Sequence, residues 1–282
     1  YIIENLAPGD YYIYVNDYLA GGLGITNFAG KFYDGGAGSF SLSGAQPATV
    51  VAGSTLEEIN VTLEPGGKIT GQVLNSSGEP VDSLWLVAVR TDLMQQDSIP
   101  FPADIDILPT ITAQDGSYQI TGVASGQYII RTISEYKIIA ENLFSAIFSG
   151  NISEMIGDGK HKGQVVDAWY GDVYNLLSIA KAERVSVTAP QTAENMDIHL
   201  ESPHYISGNV TDAMSSDSVH GAWVIAMRPD APVPFFRYVS PTQGTAYRLG
   251  PLPPGQIKVA AIVNPLQNET HLSEYYGNVR SF

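Results

Sequence analysis

The stretch from Asp115 to Ile130 reads DGSYQITGVASGQYII. Asp115-Gly116 makes a turn, after which Tyr118 and Ile120 fall on one face of an alternating strand. A glycine-rich corner from Gly122 to Gly126 leads into a second strand, with Tyr128 and Ile130 on one face. The same phrase stands near the start as YIIENLAPGDYYIYV (1–15) and near the end as TAYRLGPLPPGQIKVAAIV (245–263). Aligned, Tyr1, Tyr118 and Tyr247 coincide, as do Leu6, Val123 and Leu252, and Gly9, Gly126 and Gly255. One phrase written three times marks a repeat protein.

Working outward, the middle copy is complete. It opens with GGKITGQV, in which Ile69, Gly71 and Val73 share a face. A turn from Asn75 to Pro80 leads to SLWLVAVR (83–90), an almost unbroken apolar run of β-formers. After the central phrase come AWYGD (168–172), then ERVSVTA and ENMDIHLE, with Val185 and Val187, and Met196, Ile198 and Leu200, in register. Seven or so short strands with turn residues at each junction predict an antiparallel β-sandwich. The first copy holds only the second half of this unit. Phe32-Tyr33 matches Trp169-Tyr170, and at the same offset Ala48 and Val50 match Val185 and Val187, while Ile59, Val61 and Leu63 match Met196, Ile198 and Leu200. The third copy holds the first part, with YISGNV (205–210) and GAWVIAMR (221–228), and runs on to Tyr275-Tyr276. The expected units are therefore 1–64, 65–201 and 202–282. The aromatic pair recurs later than the central phrase does, which places an insertion near 136–163 of the middle unit. Ile139, Leu143 and Ile147 there have helical spacing and predict a short helix or ordered loop. The joints, Glu64-Pro65-Gly66 and Glu201-Ser202-Pro203, are too short to be flexible tethers and predict a stiff end-to-end arrangement.

Composition narrows the function classes. The 282 residues are 44% hydrophobic, enough for ordinary cores, and acids outnumber bases 29 to 14 for a formal net charge of −15. Nucleic-acid binding, which needs clustered Lys and Arg, is thereby disfavoured. With no cysteine, neither a disulfide framework nor thiolate metal sites exist. No apolar run of about 18 residues is present to span a membrane, and since the chain opens inside a repeat, any leader is expected upstream.

The series GGKITGQV, SGEPVDSLWLVAV, TAQDGSYQITGV and SGQYII resembles the carboxypeptidase regulatory-like module, a transthyretin-like, seven-stranded, Ig-like β-sandwich. It is also similar to the B-type repeats of collagen-adhesin stalks. The resemblance implies an all-β fold of tandem sandwiches, a secreted or surface-attached parent protein, and a module without catalytic residues of its own.

His271-x-x-Glu274 matches half of a zinc-peptidase pair by letter, but no later His follows and no scaffold surrounds it. No nucleophile elbow or phosphate loop occurs. No catalytic residue, cofactor site or metal site is expected. Adhesin-stalk relatives carry a Lys–Asn amide bond, for which Lys68 and Asn195 occupy first- and last-strand positions; the competing reading of Lys68 is an exposed strand-edge lysine. Asp115, Asp158, Asp167 and Asp172 lack the spacing of a calcium loop and read as solvated acids. The recurrent aromatic pairs nominate Trp169, Tyr170, Tyr33 and Tyr276 as carbohydrate-stacking residues, against a structural role as plugs at the end of the sandwich. Finally, Asn60, Asn75, Asn151, Asn209 and Asn268 head Asn-x-Ser/Thr triplets, where composition predicts roughly two, and are candidate glycan attachment sites.

These readings point to a structural or adhesive array of a secreted or cell-surface microbial protein. Its expected partners are other copies of the chain, neighbouring modules of a longer array, or surface glycans. The ragged outer units suggest either excision from a longer array or strand sharing between chains to make a fibre. The alternative is a glycan-binding accessory region of a larger secreted hydrolase.

Overall fold

The computed structural model describes residues 1–16, 27–91, 107–134, 136–138, 156–174, 179–212, 214–217, 219, 221–227, 238–241, 246–263 and 274–276. Short strands dominate. The first segment contains β1 (Gly9–Tyr11), β2 (Tyr14–Val15), β3 (Phe28–Ala29), β4 (Lys31–Phe32) and β5 (Ala48–Val50). β1 pairs with β5, β2 pairs with β4, and β3 pairs with β6 (Glu64–Pro65), all antiparallel. The short joint at Glu64-Pro65 is thus itself a strand, held by the segment before it.

The middle segment is the complete sandwich. Its strands are β7 (Gly67–Asn75), β8 (Trp85–Arg90), β9 (Ile107–Ile111), β10 (Ser117–Val123), β11 (Gly126–Ile133), β12 (Tyr136–Ile138), β13 (Ile156–Asp158), β14 (Val185–Val187), β15 (Thr192–Ala193) and β16 (Ile198–Leu200). One sheet runs β10-β7-β15 with β16 also on β7, and the other runs β14-β11-β8-β9. Alternate side chains of both sheets meet between them: Ile69 and Val73 from β7, Leu86 and Ala88 from β8, Ile120 and Val123 from β10, Tyr128 and Ile130 from β11, and Ile198 and Leu200 from β16. Burying such a set is the main stabilising term of the fold. The continuous apolar run of β8 has a physical reason as well. Its other face, with Val89 and the Ile129 of β11, is covered by Trp169, Ile179 and Ala182, so both sides of this sheet are dry. Among the described pairings the sandwich is antiparallel except where β15 and β16 lie parallel to β7. Gly122 has φ 68° and marks a bulge in the β10–β7 ladder.

The insertion is not helical where it is described. Its two ends, β12 and β13, pair as an antiparallel ribbon, and the Ile139, Leu143, Ile147 stretch read as a helix lies outside the described residues. The third segment contains β17 (His204–Asn209), β18 (Ala222–Met227), β19 (Tyr238–Pro241), β20 (Ala246–Leu252), β21 (Lys258–Val263) and β22 (Glu274–Tyr275). β17 pairs with β20, and β19-β18-β21-β22 form the facing sheet. Val224, Ala226, Leu249 and Leu252, with Ile257 packed against them, form its core. They occupy the repeat positions of Leu86, Ala88, Ile120, Val123 and Tyr128.

Candidate functional site

The recurrent residues are the natural place to look for chemistry, and their contacts show what they do. The Tyr128 hydroxyl donates to Ala124 O at 3.0 Å, and the Tyr11 hydroxyl donates to Ala7 O at 2.8 Å. Each ties a strand back to the corner four residues earlier. Tyr118 donates to Met196 O and Tyr1 to Ile59 O, both at 2.5 Å, so each ties the same pair of repeat positions together. Glycine makes room for the first of these. A Cβ on Gly71 would lie 2.3 Å from Met196 O and 3.0 Å from the Tyr118 ring. In the third segment Tyr247 sits over Gly208 in the same way.

The aromatic pairs follow this rule. Tyr170 N–H donates to Ile130 O at 2.8 Å, Tyr33 N–H to Ile13 O at 2.8 Å, and Tyr276 N–H to Val259 O at 2.7 Å. These are one backbone contact repeated three times. The ring of Trp169 is 5% exposed and lies on the outer face of the second sheet, with the Arg131 guanidinium 5.1 Å from its centre. It covers a sheet face rather than plugging the end of the sandwich. Tyr170 and Tyr33 are half-buried, while Tyr276 is 86% exposed.

Lys68 and Asn195 are both exposed. Lys68 is not at a strand edge, because β7 is flanked by β10 on one side and on the other by β15, whose Thr192 lies opposite Lys68. Asp167 is a correction too. It is 7% exposed and accepts hydrogen bonds from Ser134 N at 2.7 Å and the Thr132 hydroxyl at 3.3 Å, so it braces the chain rather than standing in solvent. Asp115 caps its turn by accepting from Ser117 N and Oγ, contacts that hold its carboxyl below the usual carboxylate range. Asp172 is exposed and Asp158 lies in β13. No group of three or more His, Asp or Glu suited to a metal occurs among the described residues. His271 lies outside them, and Glu274 is in β22.

Of the sequon asparagines, Asn60 and Asn209 are exposed. The Asn75 amide is occupied in its turn: its oxygen accepts from Ser77 N and Glu79 N, and its nitrogen donates to Glu79 Oε2, each at 2.9 Å. Asn151 and Asn268 lie outside the described residues.

Burial raises four tyrosines above their ordinary value, Tyr118, Tyr170, Tyr174 and Tyr247, with the largest effects at Tyr118 and Tyr174. Burial raises the Tyr118 hydroxyl well above its ordinary value of 10.0, with Asp197 and Tyr170 adding to it. Burial, then Asp172 and Glu201, push Tyr174 up to about 12. A tyrosine that holds its proton more tightly in the folded state contributes fully below 10.0, and that contribution is lost as pH rises past it. Denaturant midpoints should therefore fall as pH climbs above about 10, and Tyr118→Phe should flatten the fall.

These contacts define a class: all-β sandwich segments in tandem, whose recurrent residues close sheets and corners. No family model and no curated protein matches the chain. Among solved structures it is similar to a streptococcal ancillary pilin, at 10% identity over 76% of this chain and 59% of that one, with a TM-score of 0.30. It is similar to the Bacillus anthracis TIE protein at 12% identity over 99% of this chain and 42% of that one, TM-score 0.25. A DUF3823 family protein of Bacteroides uniformis gives 12% identity over 75% and 96%, TM-score 0.24. The chain thus spans about three fifths of the first and about two fifths of the second. At TM-scores this low the fold rests on the chain's own strand pairing.

Proposed function

We propose that the chain is a stiff array of carboxypeptidase-regulatory-like modules, 1–64, 65–201 and 202–282, that serves a secreted or cell-surface microbial protein as a structural or adhesive stalk. Copies associate into an extracellular fibre by sharing strands. The observation that carries this reading is the pair of joints. At the first, Gly66 backs directly on Gly122, where a Cβ would lie 2.5 Å from the Gly122 Cα. Phe40 is held between the Lys31 ammonium, 4.8 Å from its centre, and the Arg90 guanidinium of the next module, 5.5 Å away. Lys31 is 2% exposed and is neutralised by Glu64 at 2.7 Å. At the second joint Tyr205 donates its hydroxyl to Gly163 O at 2.7 Å and stacks under Arg248, while Val166 N–H donates to Glu201 O. Ordered joints of this kind suit a part that transmits position rather than one that binds a small molecule. No helix among the described residues is long and apolar enough to cross a membrane.

Small-angle scattering tests the stiffness. The chain should give one narrow, elongated distance distribution, and Gly66→Ala, which forces the first joint apart, should broaden it. A flexible, many-conformer profile for the unaltered chain would overturn the rod. Immunolabelling of intact native cells tests the location, with label at the surface as the expected result.

A further inference from the structure

We infer that the turn closing the insertion, residues 159–164, is a strut that holds the third module in place on the middle one. Lys160 and Asp82, both of the middle module, thereby control the position of the third. This rests on the stiff-array reading above and specifies how the second joint is held. The two joints share one backbone contact: Ala29 pairs with Glu64, and Val166, at the equivalent repeat position, bridges to Glu201. Beyond it they differ. The first joint has exposed Lys68 where the second has Tyr205, and it places Phe40 between Lys31 and Arg90. The second joint draws on the insertion, which the repeat spacing gives to the middle unit alone.

The strut stands on a fixed footing. Asp82 is bracketed by Val81 and Leu84, both buried in the core of the middle sandwich. Beside it Ser83 N–H donates to Thr112 O at 3.0 Å, and Leu84 N–H donates to the Thr112 hydroxyl at 2.9 Å. Lys160 Nζ donates to both carboxylate oxygens of Asp82, at 2.7 and 2.6 Å. The adjacent His161 donates its Nε2–H to Asp82 O at 2.6 Å. Bonds from two neighbouring residues to one residue set the rotation of the turn as well as its place. The turn is also closed on itself, with Lys162 N–H on Gly159 O at 3.2 Å and Gln164 N–H on His161 O at 2.9 Å. A shift at Lys160 is therefore carried to Gly163.

Gly163 O accepts from the Tyr205 hydroxyl at 2.7 Å, and Tyr205 lies in β17 at the start of the third module. Its ring is gripped by that module in turn. The Arg248 guanidinium sits 4.0 Å from the ring centre, and Gly250 leaves it room, since a Cβ there would lie 2.5 Å from Tyr205 Cδ1. Contacts thus run unbroken from the core of one sandwich to β20 of the next, as coupling between two bodies requires. The ion pair itself is solvated, the Lys160 and Asp82 side chains being 54% and 31% exposed. A pair in that setting adds little to the stability of its own module. Its loss should loosen the joint while the sandwich stays folded, which separates a strut from a stabilising contact.

The chain has no cysteine, so spin labels can be placed in the full chain by substitution. Thr49, Gln119 and Met214 are exposed, one in each module. Labels on Thr49→Cys and Gln119→Cys report the first joint by pulsed electron resonance, and labels on Gln119→Cys and Met214→Cys report the second. Both distance distributions should be narrow in the otherwise unaltered chain. Lys160→Asp sets two carboxylates face to face, and their repulsion should widen the second distribution roughly two-fold. The first distribution and the denaturant midpoint should not change. The exchange Asp82→Lys/Lys160→Asp should restore the narrow width. Tyr205→Phe, which keeps the ring under Arg248 but removes the hydroxyl, should widen the second joint as Lys160→Asp does. An unchanged second joint in Lys160→Asp overturns the strut, as does widening at both joints or widening that the exchange fails to reverse. In the unaltered chain, a broad second joint beside a narrow first sinks the strut alone, and breadth at both sinks the stiff array with it.

Discussion

Trp169→Ala should destabilise the middle sandwich by about 3–5 kcal/mol, the range for truncating a large buried aromatic. The loss should appear as a lower denaturant midpoint. The ring is 5% exposed and packs with Val89, Ile129, Ile179 and Ala182 over the outer face of the second sheet. Removing it opens a cavity and takes the π-face from the Arg131 guanidinium 5.1 Å away. Buried Arg131 would then meet either a void or entering water, and both raise the cost. The result separates the stalk from the glycan-binding alternative. A sugar platform would lose ligand on Trp169→Ala while keeping its midpoint, and a midpoint within 1 kcal/mol of the unaltered chain, roughly the scatter of a surface substitution, would count against the packing role.

The second large effect is expected at Tyr128. Tyr128→Ala removes a fully buried ring from the centre of the core and should cost about 3–5 kcal/mol. Tyr128→Phe isolates the hydroxyl. It keeps the ring but leaves Ala124 O without its 3.0 Å donor in a buried corner, which should cost about 1 kcal/mol. Tyr11→Phe removes the same contact in the first segment, but Tyr11 is half-buried and its bond exposed. Its effect should be smaller. Equal losses at Tyr11 and Tyr128 would mean that solvent does not weaken the corner in the first copy.

The repeat was legible because it is written in residues with few substitutes. Tyrosine at 1 and 118, or at 11 and 128, can be aligned by letter, and the paired hydrogen bonds to Ile59 and Met196, and to Ala7 and Ala124, follow from the alignment. Even the backbone contacts of Tyr33, Tyr170 and Tyr276 obey it. The sites were less legible, because they depend on which strands become neighbours. Lys68 read as an edge residue, since alternation reveals a strand's faces but not its flanks. Trp169 read as a plug or a platform, since nothing local says that a loop will fold back over the outside of a sheet. The apolar positions Val87 and Val89, interleaved with Leu86 and Ala88, were the signal that this outer face had to be covered. Asp167 was read as solvated because carboxylates usually are; its partners, Thr132 and Ser134, are distant in sequence.

The parallel placement of β16 against β7 has a mechanical consequence. The middle sandwich is entered at Gly67, the start of β7, and left at Leu200, the end of β16, and these two strands lie side by side pointing the same way. A pull on the flanking joints would slide one strand along the other, so that its ladder must break together instead of opening bond by bond like a zip. Resistance of that kind is set by the barrier to rupture rather than by equilibrium stability, and it would let a marginally stable sandwich hold under tension.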